Sequence, residues 1–193
     1  MHSRRRTTRS RNFHVSGNDA VMDHLAPQSS DRPLMPEGYG VPETTDGLLE
    51  WAAVEARLVG SAQYWMATTR SDGRPHVVPR WGVWVDGRFW YDGSPATVHV
   101  RNLGPEGACT LHLEDGWQAV IVEGVSAVAA PPGLELGERL AAAFAAKYAE
   151  RGYTPEPDAW EGPHSGGLRV LTPTKALAWF DFPGDVTRFR FPD

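Results

Sequence analysis

Short turns that contain an Asp-Gly pair constrain the fold of this chain more than any other feature. Asp72-Gly73, Asp86-Gly87 and Asp115-Gly116 each separate two runs in which apolar and polar residues alternate. Asp and Gly both tolerate the positive φ angles that tight hairpin turns require. Three such turns predict an antiparallel meander, and closing it into a barrel removes the exposed edge strands. We therefore predict a mainly β (α+β) protein built on an antiparallel barrel.

The hydrophobic pattern assigns the remaining elements. The predicted strands are residues 63–69, 75–85, 88–91, 108–114, 117–129, 168–171, 176–182 and 186–191. Three flanking helices are predicted at residues 46–59, 96–103 and 134–151. Asp46 can cap the first helix, and Gly152 stands where a C-terminal cap of the third is expected.

The predicted strand 75–85 carries large apolar side chains on both faces, with Val77, Trp81 and Val83 on one and Val78 and Trp84 on the other. A strand with two apolar faces has no solvated side. We expect one face to fill the barrel and the other to meet a ligand or a second subunit.

Charge is unevenly distributed along the 193 residues. Five of the 19 basic residues (Arg4, Arg5, Arg6, Arg9 and Arg11) precede the first acidic residue, Asp19. The rest of the chain then holds 14 basic and 24 acidic residues, a balance near −10. Residues 1–33, poor in apolar residues, are predicted to form a disordered basic tail, and residues 34–193 a single domain. An acidic domain argues against general nucleic-acid binding.

No apolar run reaches the roughly 20 residues that a membrane helix needs, so no membrane association is expected. The Arg4–Arg6 cluster resembles a twin-arginine export signal, but no apolar segment follows it. These observations predict a cytoplasmic protein. The single cysteine, Cys109, excludes an internal disulfide and is predicted to be a small buried strand residue.

Searches for catalytic motifs identify no nucleophile or metal site. The seven histidines show no metal-ligand spacing, and the nucleophile-elbow, phosphate-loop and dinucleotide-binding patterns are absent. The pair Glu114-Asp115 lies beside a turn and is interpreted as a solvated loop. A chain of this kind either binds a ligand or takes its chemistry from a cofactor.

A linked series of motifs resembles one known family. Residues 64–81 read Tyr-Trp-Met-Ala-Thr-Thr-Arg-Ser-Asp-Gly-Arg-Pro-His-Val-Val-Pro-Arg-Trp, and residues 82–87 read Gly-Val-Trp-Val-Asp-Gly. They resemble the opening hairpin of the flavin/deazaflavin oxidoreductases, split β-barrel proteins related to pyridoxamine 5′-phosphate oxidase. The resemblance continues through Arg101-Asn102-Leu103 and Val122-Glu123-Gly124 to Thr187-Arg188-Phe189-Arg190-Phe191. It spans roughly Leu34 to Phe191.

The resemblance implies a homodimer of split barrels with two cofactors at the subunit interface. The cofactor is coenzyme F420 or, alternatively, FMN, and the wording of the hairpin together with the arginine-rich, lysine-poor composition favours the deazaflavin. Carried over by position, the cofactor ring lies along Val78–Val83, and its phosphate is held near Tyr91–Asp92, by the segment Thr97–Asn102 and by Gln118. The predicted cofactor-binding residues are Val78, Pro79, Arg80, Trp81, Tyr91, Asp92, Thr97, His99, Arg101, Asn102 and Gln118.

The sequence departs from the family where the phosphate is bound. Many members carry an Arg-Lys pair at the positions of Val98 and His99. Valine cannot contact a phosphate, and a neutral histidine does so weakly. Our hypothesis is that Arg80, where many relatives carry an apolar residue, replaces part of the missing clamp, with Arg101 as a second local cation.

The sequence leaves three functions open. The first is an oxidoreductase in which reduced F420 delivers hydride to an unsaturated or quinone-like small molecule. The second is an FMN-dependent oxidase or reductase of the same fold. The third is a dimer that carries a cofactor or ligand without turnover. Pyridoxamine phosphate oxidase activity is disfavoured because Val78-Pro-Arg-Trp-Gly-Val83 lacks the lysine of the corresponding family strand.

Overall fold

The computed structural model describes residues 23–162 and 167–192. In chain order its elements are β1 (Ser29–Asp31), α1 (Trp51–Gly60), β2 (Tyr64–Thr69), β3 (Pro75–Arg80), β4 (Val83–Val85), β5 (Arg88–Asp92), α2 (Val98–Leu103), β6 (Ala108–His112), β7 (Val120–Val128), α3 (Gly133–Tyr148), β8 (Leu168–Ala178) and β9 (Thr187–Arg190). A 3₁₀ turn, Ala149–Arg151, extends α3 to Gly152, whose φ of 79° gives the left-handed cap that the sequence predicts.

The strands form one antiparallel sheet that returns on itself. Their order is β1-β9-β8-β7-β6-β2-β3, with β5 also paired to β8 and β4 paired to β5. Strand β3 pairs with β2, and the same chain continues through residues 81 and 82 into β4, which pairs with β5. This continuation closes the sheet, so the prediction of an antiparallel barrel with flanking helices is confirmed.

The β4–β5 turn illustrates why the Asp-Gly pairs were informative. Asp86 has a φ of 53° and Gly87 a φ of 69°, so both central residues lie in the left-handed region. Such a turn matches the right-handed twist of its strands. A Cβ on Gly87 would also overlap the carbonyl of Leu25, which lies against the turn.

Two apolar cores stabilise the barrel. The first fills its interior and includes the fully buried rings of Tyr64, Phe89 and Tyr91. Cys109 belongs to this core, as predicted. The second lies outside the barrel, where Leu140, Phe144 and Tyr148 of α3 pack in one cluster with Val83 and Trp90. Helix α3 therefore covers the β4–β5 side of the barrel.

The first helix begins later than the sequence predicts. It starts at Trp51 rather than Asp46, and residue 50 caps it without a side-chain hydrogen bond. The Arg32 guanidinium donates to the backbone carbonyls of Thr44, Asp46 and Val186. Because Arg32 binds the carbonyls of Thr44 and Asp46, this segment is held as a bent, non-helical loop before the helix.

The predicted strand 75–85 is two strands. Trp81 and Gly82 interrupt it, and the Gly82 N–H donates to the Tyr148 hydroxyl of α3 at 2.9 Å. The same hydroxyl lies 2.9 Å from the carbonyl oxygens of Gly82 and Ala62. A Cβ on Gly82 would overlap the Phe89 ring and lie 2.6 Å from the Trp90 carbonyl oxygen. Conversely, the predicted strands 168–171 and 176–182 are joined in the single strand β8.

The last part of the predicted tail contributes to the sheet. Residues 1–22 lie outside the described residues, but Ser29–Asp31 pair with Arg188–Arg190 of β9. Asp31 accepts hydrogen bonds from both Arg188 and Arg190. The folded domain therefore begins before the predicted boundary at residue 34, because Arg188, Arg190 and the open edge of β9 bind residues 29–31. Within the described ranges, every helix is too short or too polar to cross a bilayer.

Candidate functional site

A cavity of about 360 Å³ lies at the junction of β3 and β4. Its lining residues are Pro79, Arg80, Trp81, Asp92, Phe144 and Tyr153. Four of these are predicted cofactor-binding residues, and two come from α3 and the segment after it. Trp81 stacks on Tyr148 with 4.8 Å between ring centroids and 9° between planes. The cavity therefore has aromatic walls and one arginine.

Arg80 is the charged group of this cavity. Its guanidinium donates to the backbone carbonyl of Asp92 and lies over the Tyr91 ring, 5.4 Å from the centroid. Its Nε is buried and has no hydrogen-bond partner among the described residues. Burial lowers the pKa of Arg80, while Tyr91 and Asp92 act in the opposite direction. Arginine stays protonated in proteins, so Arg80 places a positive charge at the cavity beside the Asp92 carboxylate.

The Asp92 carboxylate is occupied by two donors. Tyr153 donates its hydroxyl proton to Oδ2, and Trp160 donates Nε1–H to Oδ1 at 2.9 Å. Burial, followed by the contact with Asp92, raises the pKa of Tyr153, so its hydroxyl stays protonated at neutral pH. Both donors belong to the segment after α3. Asp92 thus joins that segment to the barrel, and its charge is shared between two hydrogen bonds.

The remaining β5 and α2 residues are mostly bonded within the protein. Tyr91 is fully buried, and its hydroxyl lies 2.7 Å from Ser126 Oγ. Thr97 Oγ1 donates to the Ser94 carbonyl, and Arg101 donates to the Ala96 carbonyl at 2.6 Å while staying exposed. Asn102 Nδ2 donates to Thr68 Oγ1 at 3.0 Å and so joins α2 to β2. Of the cations, only Arg80 lines the cavity.

His99 faces the inside of the protein. It is 4% exposed, and its ring lies 6.3 Å from the ring of Tyr91. Burial, and then the charges of Arg80, His76 and Arg169, lower the pKa of His99 to about 4. The imidazole is therefore neutral at physiological pH. It adds no positive charge to the site, in agreement with the weak phosphate contact that the sequence analysis assigns to it.

Val78 and Gln118 occupy different places. Val78 is a half-buried residue of β3 opposite Met66. Gln118 lies in a second, larger cleft of about 810 Å³, where it accepts a hydrogen bond from Arg57. The other residues of that cleft are Met35, Tyr39, Asp115, Gly116, Trp117, Trp179, Phe180, Asp181 and Phe182. No lining residue is common to the two cavities, so Gln118 is separated from the other predicted site residues within one chain.

Several site residues escaped the sequence analysis. Phe144 and Tyr153 line the cavity, and Trp160 holds Asp92. The four-residue spacing of Phe144 and Tyr148 indicates one apolar helix face but not that this face covers β4. Arg169 is buried opposite Tyr91 without lining the cavity, and this position could not be predicted because it follows from the pairing of β5 with β8.

Solved structures show which class of fold this is. A conserved hypothetical protein from Mycobacterium tuberculosis aligns with a TM-score of 0.54 and 19% identity, covering 72% of this chain and 89% of that one. A heme binding protein from Mycobacterium smegmatis aligns with a TM-score of 0.51 and 20% identity, covering 74% of this chain and 59% of that one. An F420 reductase aligns at 0.47 and 20% identity, covering 74% and 98%, which is too low a score to support an argument.

These likenesses show the fold alone, because all are below 25% identity. The chain has the split β-barrel fold of the pyridoxamine 5′-phosphate oxidase-like proteins, as the motifs predicted. No protein-family profile and no curated protein matches the sequence.

Proposed function

We propose that this chain is a flavin- or deazaflavin-dependent oxidoreductase, in which coenzyme F420 or, alternatively, FMN exchanges hydride with an unsaturated or quinone-like small molecule. The observation that carries the proposal is the position of Arg80 at the aromatic cavity, with a buried Nε that lacks a partner. A buried donor without an acceptor costs about 1–3 kcal/mol. An anionic ligand in the cavity would compensate the charge of this guanidinium, and F420 and FMN both carry a phosphate linked to a flat ring system.

The residues present fit such a cofactor. Pro79 and Trp81 offer flat apolar surfaces on either side of Arg80 in the sequence, and Phe144 and Tyr153 complete the wall. The bound cofactor supplies the hydride chemistry. The side chains bind and orient: Arg80 contributes charge, while Tyr153 and Trp160 hold Asp92 in place.

Titration of the purified protein with F420, FMN and hemin tests the proposal. We expect F420 to bind, with a change in its fluorescence, and yellow protein would support FMN instead. Binding of hemin alone would favour the third function, a ligand carrier without turnover, which the structural likeness to a heme binding protein supports. If none of the three ligands binds, a role in cofactor binding is contradicted.

A variant pair locates the binding. Arg80→Met should weaken F420 binding roughly ten- to hundredfold, because a hydrogen bond to a charged group contributes about 1.5–3 kcal/mol. Arg74→Met is the matched control, since Arg74 is exposed and bonds to Asp72 in the β2–β3 turn. Equal affinity of the two variants would exclude Arg80 from the site.

We also propose that the active form is a homodimer. Strand β3 ends the sheet path, and Val77 on it is 47% exposed. Exposed apolar edge strands are surfaces that natural proteins cover. A second copy would also bring its own Gln118 cleft to the interface, which would reconcile the position of Gln118 with its predicted role. Light scattering should give twice the chain mass, and Val77→Asp should reduce it towards the monomer mass. A monomeric wild type would contradict this proposal.

A further inference from the structure

Arg169 of β8 is a buried cation without a carboxylate partner. It is 7% exposed, and it takes part in no ion pair among the described residues. Its terminal nitrogen donates to the Ser126 carbonyl at 3.2 Å, but its Nε is buried and has no partner. Burying an unpaired charge is costly unless a counter-ion and hydrogen bonds compensate for it. The surroundings of Arg169 are therefore electrostatically incomplete.

A second arginine converges on the same backbone segment. Arg169 stands opposite Tyr91 in the β5–β8 register, and a Cβ on Gly93 would lie 2.8 Å from Arg169 Cδ. Arg80 donates to the carbonyl of Asp92, which lies between Tyr91 and Gly93 in the sequence, and its guanidinium lies over the Tyr91 ring. Both guanidinium groups thus meet residues 91–93, and both have an unpartnered buried Nε.

The Asp92 carboxylate neutralises this pair only in part. It makes its hydrogen bonds with Tyr153 and Trp160 rather than with either arginine, while its negative charge raises the pKa of Arg80. Burial, and then the charges of Arg80, His76 and Arg169, lower the pKa of His99, so its ring is neutral. Two guanidinium groups and one carboxylate therefore leave a positive charge in an otherwise acidic domain.

We propose that Arg169 is the second cation of the phosphate site, acting with Arg80 in place of the Arg-Lys pair that is missing at Val98 and His99. Two guanidinium groups offer several donors in fixed directions, which matches the oxygens of a phosphate ester better than a single carboxylate. Gly93 allows the Arg169 side chain to pack against the backbone at residue 93, because a Cβ there would lie 2.8 Å from Arg169 Cδ. Arg169 itself is not a lining residue of the cavity, so it adds its charge next to Arg80 rather than on the cavity wall. The identity of the ligand rests on the proposed function, whereas the existence of an anion site does not depend on it.

The main comparison is between FMN and riboflavin, which differ only in the phosphate. F420 is paired with its deazaflavin chromophore, which lacks the phosphate together with the acidic tail attached to it. Arg169→Met should weaken binding of the phosphate-bearing member about ten- to hundredfold and leave the phosphate-free member unchanged. Arg74→Met, an exposed arginine of the β2–β3 turn, should change neither. Equal loss for both members of a pair, or no loss, would overturn the inference.

A stability measurement separates binding from a structural role. Inorganic phosphate should raise the melting temperature of the wild type above that in chloride of equal ionic strength, and this rise should vanish in Arg169→Met. Without phosphate, removal of a buried charge and loss of the hydrogen bond to the Ser126 carbonyl act in opposite directions, so the readout is the phosphate effect and not the melting temperature in chloride. A phosphate effect retained in the variant, or absent from the wild type, would contradict the inference.

Two further arms keep the outcomes distinct. Arg169→Lys retains the charge and should keep part of the phosphate effect, and it replaces Arg169→Met if the latter does not fold. If the wild type binds no flavin or deazaflavin but shows phosphate stabilisation that depends on Arg169, the proposed function fails and the anion site stands. If the cofactor binds with an unchanged phosphate preference in Arg169→Met, the anion site fails and the proposed function stands.

Discussion

His99 shows how one residue can be near the proposed cofactor site without supplying charge to it. The ring is buried beside Tyr91, with Arg80 and Arg169 nearby. A protonated imidazole there would lose its hydration and meet like charges, and both effects favour the neutral form. The position at which many members of the resembled family carry a cation therefore holds a neutral group here, and in the proposed site the positive charge comes from arginines on other elements.

The low pKa of His99 predicts a specific loss of stability in acid. The unfolded chain takes up a proton at His99 near pH 6.5, whereas the folded protein does so near pH 4. Because the unfolded state binds more protons in this window, the contribution of His99 is complete above pH 6.5 and is lost as pH falls towards 4.

Nuclear magnetic resonance titration of the ring should give a pKa of about 4 directly. The free energy of unfolding of the wild type minus that of His99→Gln should fall between pH 6.5 and 4, which removes the contribution of the carboxylates common to both. Titration of the ring near pH 6.5 would show that it is solvated.

At the scale of elements, the break between β3 and β4 shapes the site. Alternation alone predicts one strand through residues 75–85, although Pro79 lacks an N–H donor and so limits pairing to one side of the strand there. The break depends on Tyr148, which bonds the Gly82 backbone, and on Phe89 and Trp90, which fill the space a side chain would take. These partners come from other elements, so no local pattern could indicate them.

Gly82→Ala tests this junction. The added methyl would overlap the Phe89 ring and approach the Trp90 carbonyl, so the free energy of unfolding should fall by about 1–3 kcal/mol. Gly116→Ala is the matched control, because its Cβ would meet open space and its φ is not in the left-handed region. It should change stability by less than about 1 kcal/mol. Urea unfolding of both variants measures the difference, and equal stabilities would mean that the junction relaxes freely.

Local chemistry did predict the hairpins, the third helix and its cap. Asp86-Gly87 turns where two positive φ angles are needed, and Gly152 ends α3 for the same conformational reason. Positions that depend on which strands pair could not be predicted from local patterns. Arg169, for example, lies opposite Tyr91 only because β5 pairs with β8. The same holds for Phe144 and Tyr153, whose place depends on how α3 docks against the barrel.

At the scale of the whole molecule, the segment before the barrel divides into two parts. Residues 1–22 carry the five clustered arginines, and the sequence assigns them no core residues. Residues 23–31 make backbone hydrogen bonds through Leu25 to Asp86 and through Gln28 to Arg190, besides the pairing of β1 with β9. The tail that the sequence predicts is therefore better limited to residues 1–22.

Truncation variants test this division. Removal of residues 1–22 should leave the melting temperature nearly unchanged. Removal of residues 1–33 also removes β1 and the Asp31 contacts to Arg188 and Arg190. The four hydrogen bonds to Asp31 and the three from Arg32 are lost with it. At about 0.5 kcal/mol for each of these partly exposed bonds, the loss should be on the order of 3–4 kcal/mol, or about 6–16 °C for a domain of this size. Calorimetry of the two truncations decides, and equal melting temperatures would place β1 outside the stabilising structure.

Strand β8 pairs with β7 along its length, with β5 through its first residues and with β9 through its last. Its β5 partners precede it by roughly 80 residues, so their pairing must wait for a large loop to close. During synthesis, β2 to β7 leave the ribosome before any part of β8 exists. The nascent chain therefore carries unpaired edges on β5 and β7 until late in translation. Association of that intermediate with other chains would lower the yield of the protein. The speed of translation before residue 168, set by codon usage, and the chaperones available at that stage should therefore influence the yield more than codon changes after residue 168.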